Sequence, residues 1–343
     1  MNLEATLNAI WYGPYKALGW VFSPLSLVFC CIVRIRRWLY RANFLSSHRA
    51  DVPVLVIGNL AVGGTGKTPL VAEVCRRLLN DGHLPGVITR GYGGQSASWP
   101  QSVSRESDPR LVGDEPVMLS RQLSCPVVAA PQRIEAARYA VEQFQCTVLV
   151  SDDGLSHYAL ERDAEVVVVD AVRGVGSGLC LPVGPLREPL SRLKEVELVC
   201  LNTTSSSTRE IGATSARQAL TPSSFQLEPF ALEPLSGPPV TLEELNGLTV
   251  RALAGIGNPE RFFQTLRSLG AVVTGHAFKD HHHFTQEDLD ALDGPGLLVV
   301  TEKDAVKLVG LKLPEQCYAL KVRAVMNAAG DLAMDALLRS LSR

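Results

Sequence analysis

The feature that most constrains the fold of this 343-residue chain is an apolar segment that runs directly into a glycine-rich loop and then into a helical pattern. The apolar segment is VPVLVIGNL (52–60), and its β-branched residues are typical of a parallel strand covered on both faces. The loop reads AVGGTGKT, and the following PLVAEVCRRLLNDG places apolar residues at helical spacing until Gly82. This order predicts the first strand, loop and helix of an α/β fold.

The glycine-rich loop fits the Walker A pattern except at its first position, where alanine replaces the usual glycine. Glycines allow successive backbone N–H groups to turn toward a phosphate, a lysine reaches the outer phosphate oxygens, and a hydroxyl binds Mg²⁺. The positive end of the following helix also attracts anions. The predicted nucleotide-binding residues are Ala61, Val62, Gly63, Gly64, Thr65, Gly66, Lys67 and Thr68. Lys67 is also predicted to be catalytic and Thr68 to bind the metal; a glycine turn that binds nothing is the alternative.

A second phosphate-site motif is expected at the end of another buried strand, where P-loop enzymes place an acid near the metal. The segment TVLVSDDG supplies Asp152 and Asp153 in that position. We predict that Asp153 lies nearest the metal and that Asp152 is the second acid. A plain Asp-Asp-Gly turn at a strand end is the alternative.

The rest of the chain alternates apolar, strand-like segments with helical ones, which indicates a parallel sheet covered on both faces. A Ser/Thr-rich stretch (202–224) and a proline-rich stretch (228–239) then mark a boundary, after which a second α/β pattern begins. We therefore predict an α/β fold with a P-loop NTPase-type parallel sheet domain at 46–225. A smaller α/β domain at 226–343 and a membrane-associating N-terminal segment at 1–45 complete the prediction.

The N-terminal segment is uncharged from Ala17 to Val33 and is followed by the basic, aromatic sequence RIRRWLYR. Arginines and aromatic residues beside an apolar run are typical of a membrane interface. The run is slightly short for a spanning helix and contains Pro24, so a spanning helix and an interfacial helix both stay open, with a buried core helix as a third alternative. If the segment spans, everything after Arg34 is cytoplasmic. If it lies flat, the same arginines bind anionic lipid from the cytoplasmic side.

The overall charge and the cysteines exclude other classes of protein. A formal net charge of -2 gives no general attraction to nucleic acid. The eight cysteines include no C-x-x-C pair, which argues against a zinc site or a disulfide framework and favours core thiols in a reducing cytosol.

Several further motifs occur in a fixed order: ITRGYGG, GDEP, SDDGLSHYAL, LPVGPLREP, AGIGNPERFF, Phe-x-Asp-His and TEKDAVK. Together with the glycine loop and the basic N-terminus, this ordered set resembles the bacterial lipid A 4′-kinase (tetraacyldisaccharide 4′-kinase) family over nearly the whole chain. The resemblance implies ATP-dependent transfer of the γ-phosphate, with Mg²⁺, to the 4′-hydroxyl of a tetraacylated glucosamine disaccharide 1-phosphate. It also implies attachment to the cytoplasmic face of the bacterial inner membrane.

The resemblance further implies a catalytic pair, Asp114 in GDEP and His281 in Phe-x-Asp-His, contributed by the two different domains. Arg187 and Glu188 in LPVGPLREP match family positions near the phosphates and the metal, although a plain surface turn is the alternative. Arg90 lies on a glycine-rich loop after a strand, where ligand contacts collect in such folds, or it is simply solvated.

The cluster of histidines around His281 raises the alternative of a metal site, but adjacent histidines cannot all face one ion on regular structure. We expect Asp280 to hold His281 in one tautomer. A GTP-dependent switch or metallochaperone-like NTPase is the alternative function. It is disfavoured because Glu302 in TEKD stands where a guanine-reading element has lysine. A kinase for a soluble metabolite would leave the apolar N-terminus unexplained.

Overall fold

The computed structural model describes residues 7, 9–13, 22–203, 223–280, 282–292 and 294–341. The strands are β1 (Val54–Gly58), β2 (Pro85–Thr89), β3 (Gln101–Val103), β4 (Val127–Ala129), β5 (Val148–Asp152), β6 (Ala164–Asp170), β7 (Leu198–Thr203), β8 (Ser224–Ser236), β9 (Thr249–Ala254), β10 (Val272–Ala277), β11 (Leu297–Thr301) and β12 (Cys317–Met326). The helices are α1 (Ser23–Arg41), α2 (Lys67–Asn80), α3 (Pro109–Val112), α4 (Asp114–Gln122), α5 (Arg133–Phe144), α6 (Pro259–Ser268), α7 (Gln286–Asp290), α8 (Glu302–Lys307) and α9 (Ala328–Leu341).

The strands form one sheet in the order β10-β9-β11-β12-β8-β7-β6-β1-β5-β2-β4-β3. Neighbouring strands are parallel except for the pairs β3 with β4 and β8 with β12. The predicted α/β class with a sheet dominated by parallel strands is therefore confirmed.

The antiparallel pair of β8 and β12 joins the two groups of parallel strands. Strand β8 contains Pro229 and Pro234, which lie opposite Val322 and Tyr318, and the register shifts at both points. Proline has no N–H to donate to a neighbouring strand, so it is accommodated where the pairing is irregular. The proline-rich stretch, predicted from its composition to mark a boundary, thus lies mainly within a strand. The domain limits 46–225 and 226–343 stay predictions.

The central strands are buried on both faces, which explains why their sequences are almost wholly apolar. In β1, Leu55 and Ile57 belong to one core cluster and Val54 and Val56 to another, as the alternation of side chains along a strand requires. Helix α2 covers the first face and α5 the second. This double cover fixes the loop that follows β1 at one edge of the sheet.

Helix α1 lies on the surface with one face against the body of the protein. Ser26 donates to the carbonyl oxygen of Cys180, and Arg37 pairs with Glu195. More than half of the surface is exposed in each of Leu25, Val28, Ile32 and Ile35. In the part of the chain that the structure describes, no helix is long and apolar enough to cross a membrane.

Candidate active site

The glycine-rich loop between β1 and α2 has the backbone conformation that its sequence predicts. Gly63 and Gly66 have φ angles of 100° and 83°, a region that residues with a Cβ rarely adopt. A Cβ on Gly66 would also overlap the side-chain amide of Asn202, which donates a 2.8 Å hydrogen bond to the carbonyl oxygen of Thr65. Glycine at these two positions therefore allows the tight loop to form.

The loop is held from outside by the LPVGPLREP segment. The N–H of Val62 donates to the carbonyl oxygen of Pro185 at 2.9 Å, and the N–H of Arg187 donates to that of Leu60 at 2.7 Å. These backbone bonds place the side chain of Arg187 beside the residues at the ends of β1 and β5. Position 187, predicted to bind nucleotide, thus lies directly beside the glycine-rich loop.

Arg187 forms a two-point ion pair with Asp153, at 2.7 and 2.9 Å, and also contacts the side-chain oxygen of Asn59. The Nζ atom of Lys67 lies 3.6 Å from Oδ1 of the same aspartate. Burial alone would raise the pKa of Asp153, but Lys67 and Arg187 hold it well below its usual range. Asp153 is therefore ionised, and it gathers two cations at the mouth of the loop.

Asp152, at the end of β5, has a different environment. It is 2% exposed, and no hydrogen-bond partner of its Oδ1 lies within the described residues. Burial raises its pKa to about 7, and the nearby Glu115 adds to the shift. The two predicted acids are thus adjacent in the chain but differ in charge near neutral pH.

Arg133, which sequence reasoning missed, is 3% exposed at the start of α5 and donates to the backbone oxygen of Asp152 at 2.8 Å. Its Nε and Nη1 atoms are buried without a hydrogen-bond partner in the described parts of the chain. Burial lowers its pKa to about 10, so it stays protonated near neutral pH. A buried cation with free donors beside the glycine-rich loop is suited to contact a bound anion.

One lysine, Lys303, contacts an acid in each of two predicted motifs, GDEP and Phe-x-Asp-His. Asp114 begins α4, and the next residue, Glu115, lies 3.5 Å from the Nζ atom of Lys303. The same Nζ atom lies 3.4 Å from Oδ1 of Asp280. Burial alone would lower the pKa of Lys303, but Glu115 and Asp280 raise it above its ordinary value. His281 itself lies outside the described residues.

The TEKD stretch builds the start of helix α8. The hydroxyl of Thr301 accepts a hydrogen bond from the N–H of Asp304, and the Asp304 carboxylate accepts one from Gly255. Glu302 is buried and lies 2.7 Å from Lys321. These contacts explain the motif as a helix cap and an anchor for Lys303, and none of them resembles base recognition. Glu115 and Lys303 were missed because the spacing between GDEP and TEKD gives no sign that they meet.

The loop after β9 lies against the glycine-rich loop. Arg173 donates to the carbonyl oxygen of Gly257, and a Cβ on Gly257 would lie 3.6 Å from the N atom of Gly64. Arg261, two residues into α6, donates to Oδ1 of Asn202 at 2.8 Å. Both groups of strands therefore contribute to the surroundings of the loop.

The remaining residues that the sequence analysis singled out have different surroundings. Arg90 is exposed just after β2, and its charge contributes to the low pKa of Arg133. Glu188 is 1% exposed and accepts a 2.6 Å hydrogen bond from the hydroxyl of Tyr158. His282 contacts Asp288 at 2.9 Å. Among the described residues, no group of three or more His, Cys, Asp or Glu is arranged to hold a metal ion.

His157, near the site, gives a pH-dependent prediction. Burial lowers its pKa to about 4, and Arg133 and Arg162 add to the shift. In the unfolded chain the same group takes up a proton near pH 6.5, so it costs the folded protein stability as the pH falls from about 6.5 toward 4. We expect the unfolding free energy of His157→Gln to decrease less between pH 7 and pH 5 than that of the parent, in urea titrations. The exposed His283→Gln should behave like the parent, and equal losses for all three would contradict the assignment.

The sequence and the overall structure of this chain are similar to those of known proteins. Residues 18–341 match the family described as LpxK: Tetraacyldisaccharide-1-P 4'-kinase. A tetraacyldisaccharide 4′-kinase of Alkalilimnicola ehrlichii is 44% identical over 321 residues, covering 93% of this chain and 92% of the relative. One of Nitrosococcus oceani is 44% identical over 299 residues, covering 87% and 84%. The crystal structure of the "apo" form of LpxK from Aquifex aeolicus in complex with ATP has a TM-score of 0.74 and 26% identity, and the match covers 94% of this chain and 99% of that one.

Proposed function

Since the chain belongs to the tetraacyldisaccharide-1-P 4′-kinase family, we propose that Lys67, Asp114 and His281 carry out its phosphoryl transfer. The enzyme is an ATP-dependent kinase of lipid A biosynthesis, and its acceptor is the 4′-hydroxyl of a tetraacylated glucosamine disaccharide 1-phosphate. The observation that carries the proposal is that Lys67 of the glycine-rich loop lies beside Asp153 and Arg187 at one edge of the sheet.

In this proposal ATP places its phosphates in the loop from Ala61 to Thr68. Lys67 lies 3.6 Å from Asp153, within reach of the outer phosphate oxygens. Arg187, on the same aspartate, and the buried Arg133 bring two further positive charges to the same edge. Phosphoryl transfer depends mainly on positioning and charge neutralisation, which such a set of cations supplies.

The residues present fit a magnesium ion. Mg²⁺ keeps several waters and is bound by one or two carboxylates together with phosphate oxygens, so it does not require a cage of three acids. Thr68 in the first turn of α2 offers a hydroxyl, the ionised Asp153 a carboxylate, and Asp152 an oxygen without a partner in the described residues. Glu188 accepts a hydrogen bond from Tyr158 through Oε1, while its Oε2 is buried without a partner in the described residues and is available to the ion. When bound, the ion neutralises charge on the transferred phosphate.

The acceptor side of the proposal joins the two predicted domains. Asp114 orients His281, which accepts the proton of the 4′-hydroxyl while the phosphate is transferred. Lys303 contributes by pairing with Glu115 and Asp280, the chain neighbours of the catalytic pair. The contacts of Arg261 with Asn202 and of Arg173 with Gly257 support a cleft that closes between residues 46–225 and 226–343.

A transfer assay tests the function directly. γ-Labelled ATP is incubated with the enzyme in detergent micelles and with acylated glucosamine disaccharide 1-phosphates or soluble sugars as acceptors. Label should appear on the acylated disaccharides, and equal labelling of soluble sugars would contradict the substrate class.

Lys303 should behave as a positioning residue. Lys303→Met leaves Glu115 and Asp280 without their shared cation, and we expect kcat to fall about 10- to 100-fold because misplaced catalytic groups lose rate steeply. The KM for ATP should change little, since Lys303 is not on the phosphate loop. Lys303→Arg should recover part of kcat, whereas a Met variant with normal kcat and raised KM would contradict a positioning role.

The N-terminal segment is proposed to attach the enzyme to the cytoplasmic face of the inner membrane. The exposed stripe Leu25, Val28, Ile32 and Ile35 on α1 supports this, because burying an apolar side chain in lipid stabilises binding. Arg37 and Arg41 pair with Glu195, and Arg36 lies over the rings of Tyr40 and Tyr158. Arg34, which is exposed, is therefore the better candidate for contact with lipid phosphate.

Replacing the four residues of the stripe by Asn should lower the vesicle-bound fraction of the enzyme at least tenfold in co-sedimentation with anionic liposomes. The tenfold estimate is conservative, since each buried apolar side chain contributes about 1.5–3 kcal/mol. Arg34→Gln should weaken binding only at low salt, where charge attraction is not screened. Sedimentation of the Asn variant equal to that of the parent would rule out the stripe as the anchor.

A further inference from the structure

A groove runs along helix α2 from Pro69 to Leu79, and the end of α4 and strand β12 form its other walls. It consists of a cavity of about 840 Å³ and a second of about 180 Å³, which share Arg121, Glu302 and Lys321. We call it the rear groove. We propose that the rear groove is a second ligand site, separate from the phosphate loop, for a phosphorylated organic molecule of nucleotide size.

The charge of the rear groove favours an anion. Among the described residues, neither Arg105 nor Arg121 forms an ion pair, and the side chain of Arg121 donates to the backbone oxygen of Arg105 at 3.2 Å. Arg323 has Glu228 at 3.9 Å, and both side chains are largely exposed. Arg77, by contrast, is fully neutralised by acids of α2 and α9. The guanidinium groups of Arg105 and Arg121, together with the weakly paired Arg323, offer the fork of donors that binds phosphate well.

The other walls of the groove favour an organic part on the same ligand. Phe230 of β8 is 48% exposed there, next to apolar side chains such as Met326 and Ala72. The Oε1 atom of Gln122 is buried on the same wall without a hydrogen-bond partner in the described chain. A ring or sugar that packs on Phe230 and donates a hydrogen bond to Gln122 fits these walls. The volume is also in the range of sites for small ligands.

The rear groove and the active site share three helices. Helix α2 begins with Lys67 at the active site and supplies Arg76 to the groove, and α4 begins with Asp114 and ends beside Arg121. In α8, Glu302 faces the groove while the next residue, Lys303, binds Glu115 and Asp280. A ligand in the groove therefore contacts the same short elements that hold the active-site residues.

Two kinds of molecule carry this chemistry: a nucleotide, and a phosphorylated sugar such as the headgroup of a glycolipid. Equilibrium dialysis of the full chain with radiolabelled ADP and, separately, with glucosamine 1-phosphate distinguishes them. The variants are Arg121→Gln combined with Arg323→Gln, Lys67→Ala to weaken the phosphate loop, and Arg138→Gln, an exposed arginine of α5, as the matched control. Arg323→Gln alone guards against misfolding, since Arg323 is 63% exposed.

We expect one of the two probes to show a binding component that persists in the Lys67 and Arg138 variants. In the double variant this component should weaken at least tenfold, and in the single Arg323 variant it should weaken measurably. If only ADP shows this component, the ligand is a nucleotide. If only glucosamine 1-phosphate shows it, the ligand is a phosphorylated sugar. The proposal is overturned if neither probe shows a component that depends on Arg121 and Arg323.

Discussion

Lys67→Ala should lower kcat by about 10²- to 10³-fold, the loss typical of removing one charged group that stabilises a transition state. The lysine lies 3.6 Å from Asp153 and, with Arg187, makes up the positive charge at the mouth of the glycine-rich loop. Its removal takes away charge where the transferred phosphate concentrates negative charge. It also leaves Asp153 with one cation fewer, so that the carboxylate repels the nucleotide.

The measurement is initial-rate transfer of γ-labelled phosphate at saturating ATP and acceptor. Lys312→Ala is the matched control, because this lysine is exposed and lies beyond α8. Its kcat should equal that of the parent. A Lys67 variant within a few-fold of the parent would remove Lys67 from the catalytic residues.

The conformation of the glycine-rich loop was predictable from sequence because its determinants are local. A buried strand, glycines with positive φ and a following helix occupy one continuous stretch, and Gly63 and Gly66 have the conformations that only glycine adopts easily. The acids at the end of β5 were also chosen from a local pattern, a buried strand that ends in Asp-Asp-Gly. They lie at the same edge of the sheet as the loop because β5 pairs with β1, and their role at a metal stays a prediction. Which acid is ionised did not follow, because the pKa values depend on cations placed by other elements.

Features that depend on distant pairing were not predictable. Strand β8 contains two prolines, and its composition predicted a boundary. It is a strand because it pairs with β12, irregularly, and at its start with β7. The contact of Lys303 with Glu115 depends on how α8 packs against α4, which no local pattern encodes. No local pattern predicted the position of Arg133, because its burial beside Asp152 depends on how α5 packs against the sheet.

The catalytic pair gives the second large effect. Asp114→Ala and His281→Ala should each lower kcat by about 10²-fold or more, the range for a positioned general base. If the aspartate acts only by orienting the histidine, the double variant should lose little more than the worse single variant. Nucleotide affinity should survive in all three, because neither residue belongs to the loop from Ala61 to Thr68.

The structure gives this double-variant test a particular meaning. Asp114 begins α4, and Asp280, the neighbour of His281, is linked to α4 by Lys303, which lies near both Asp280 and Glu115. If the kcat losses of the Asp114 and His281 variants are non-additive in the parent but additive in a Lys303→Met background, this lysine holds the two residues together. Asp51→Ala and His283→Ala replace exposed residues of the same types and should leave kcat unchanged. Losses that multiply in the double variant would mean that the two residues act independently. Loss of ATP binding in the His281 variant would show that His281 serves the nucleotide and not the acceptor.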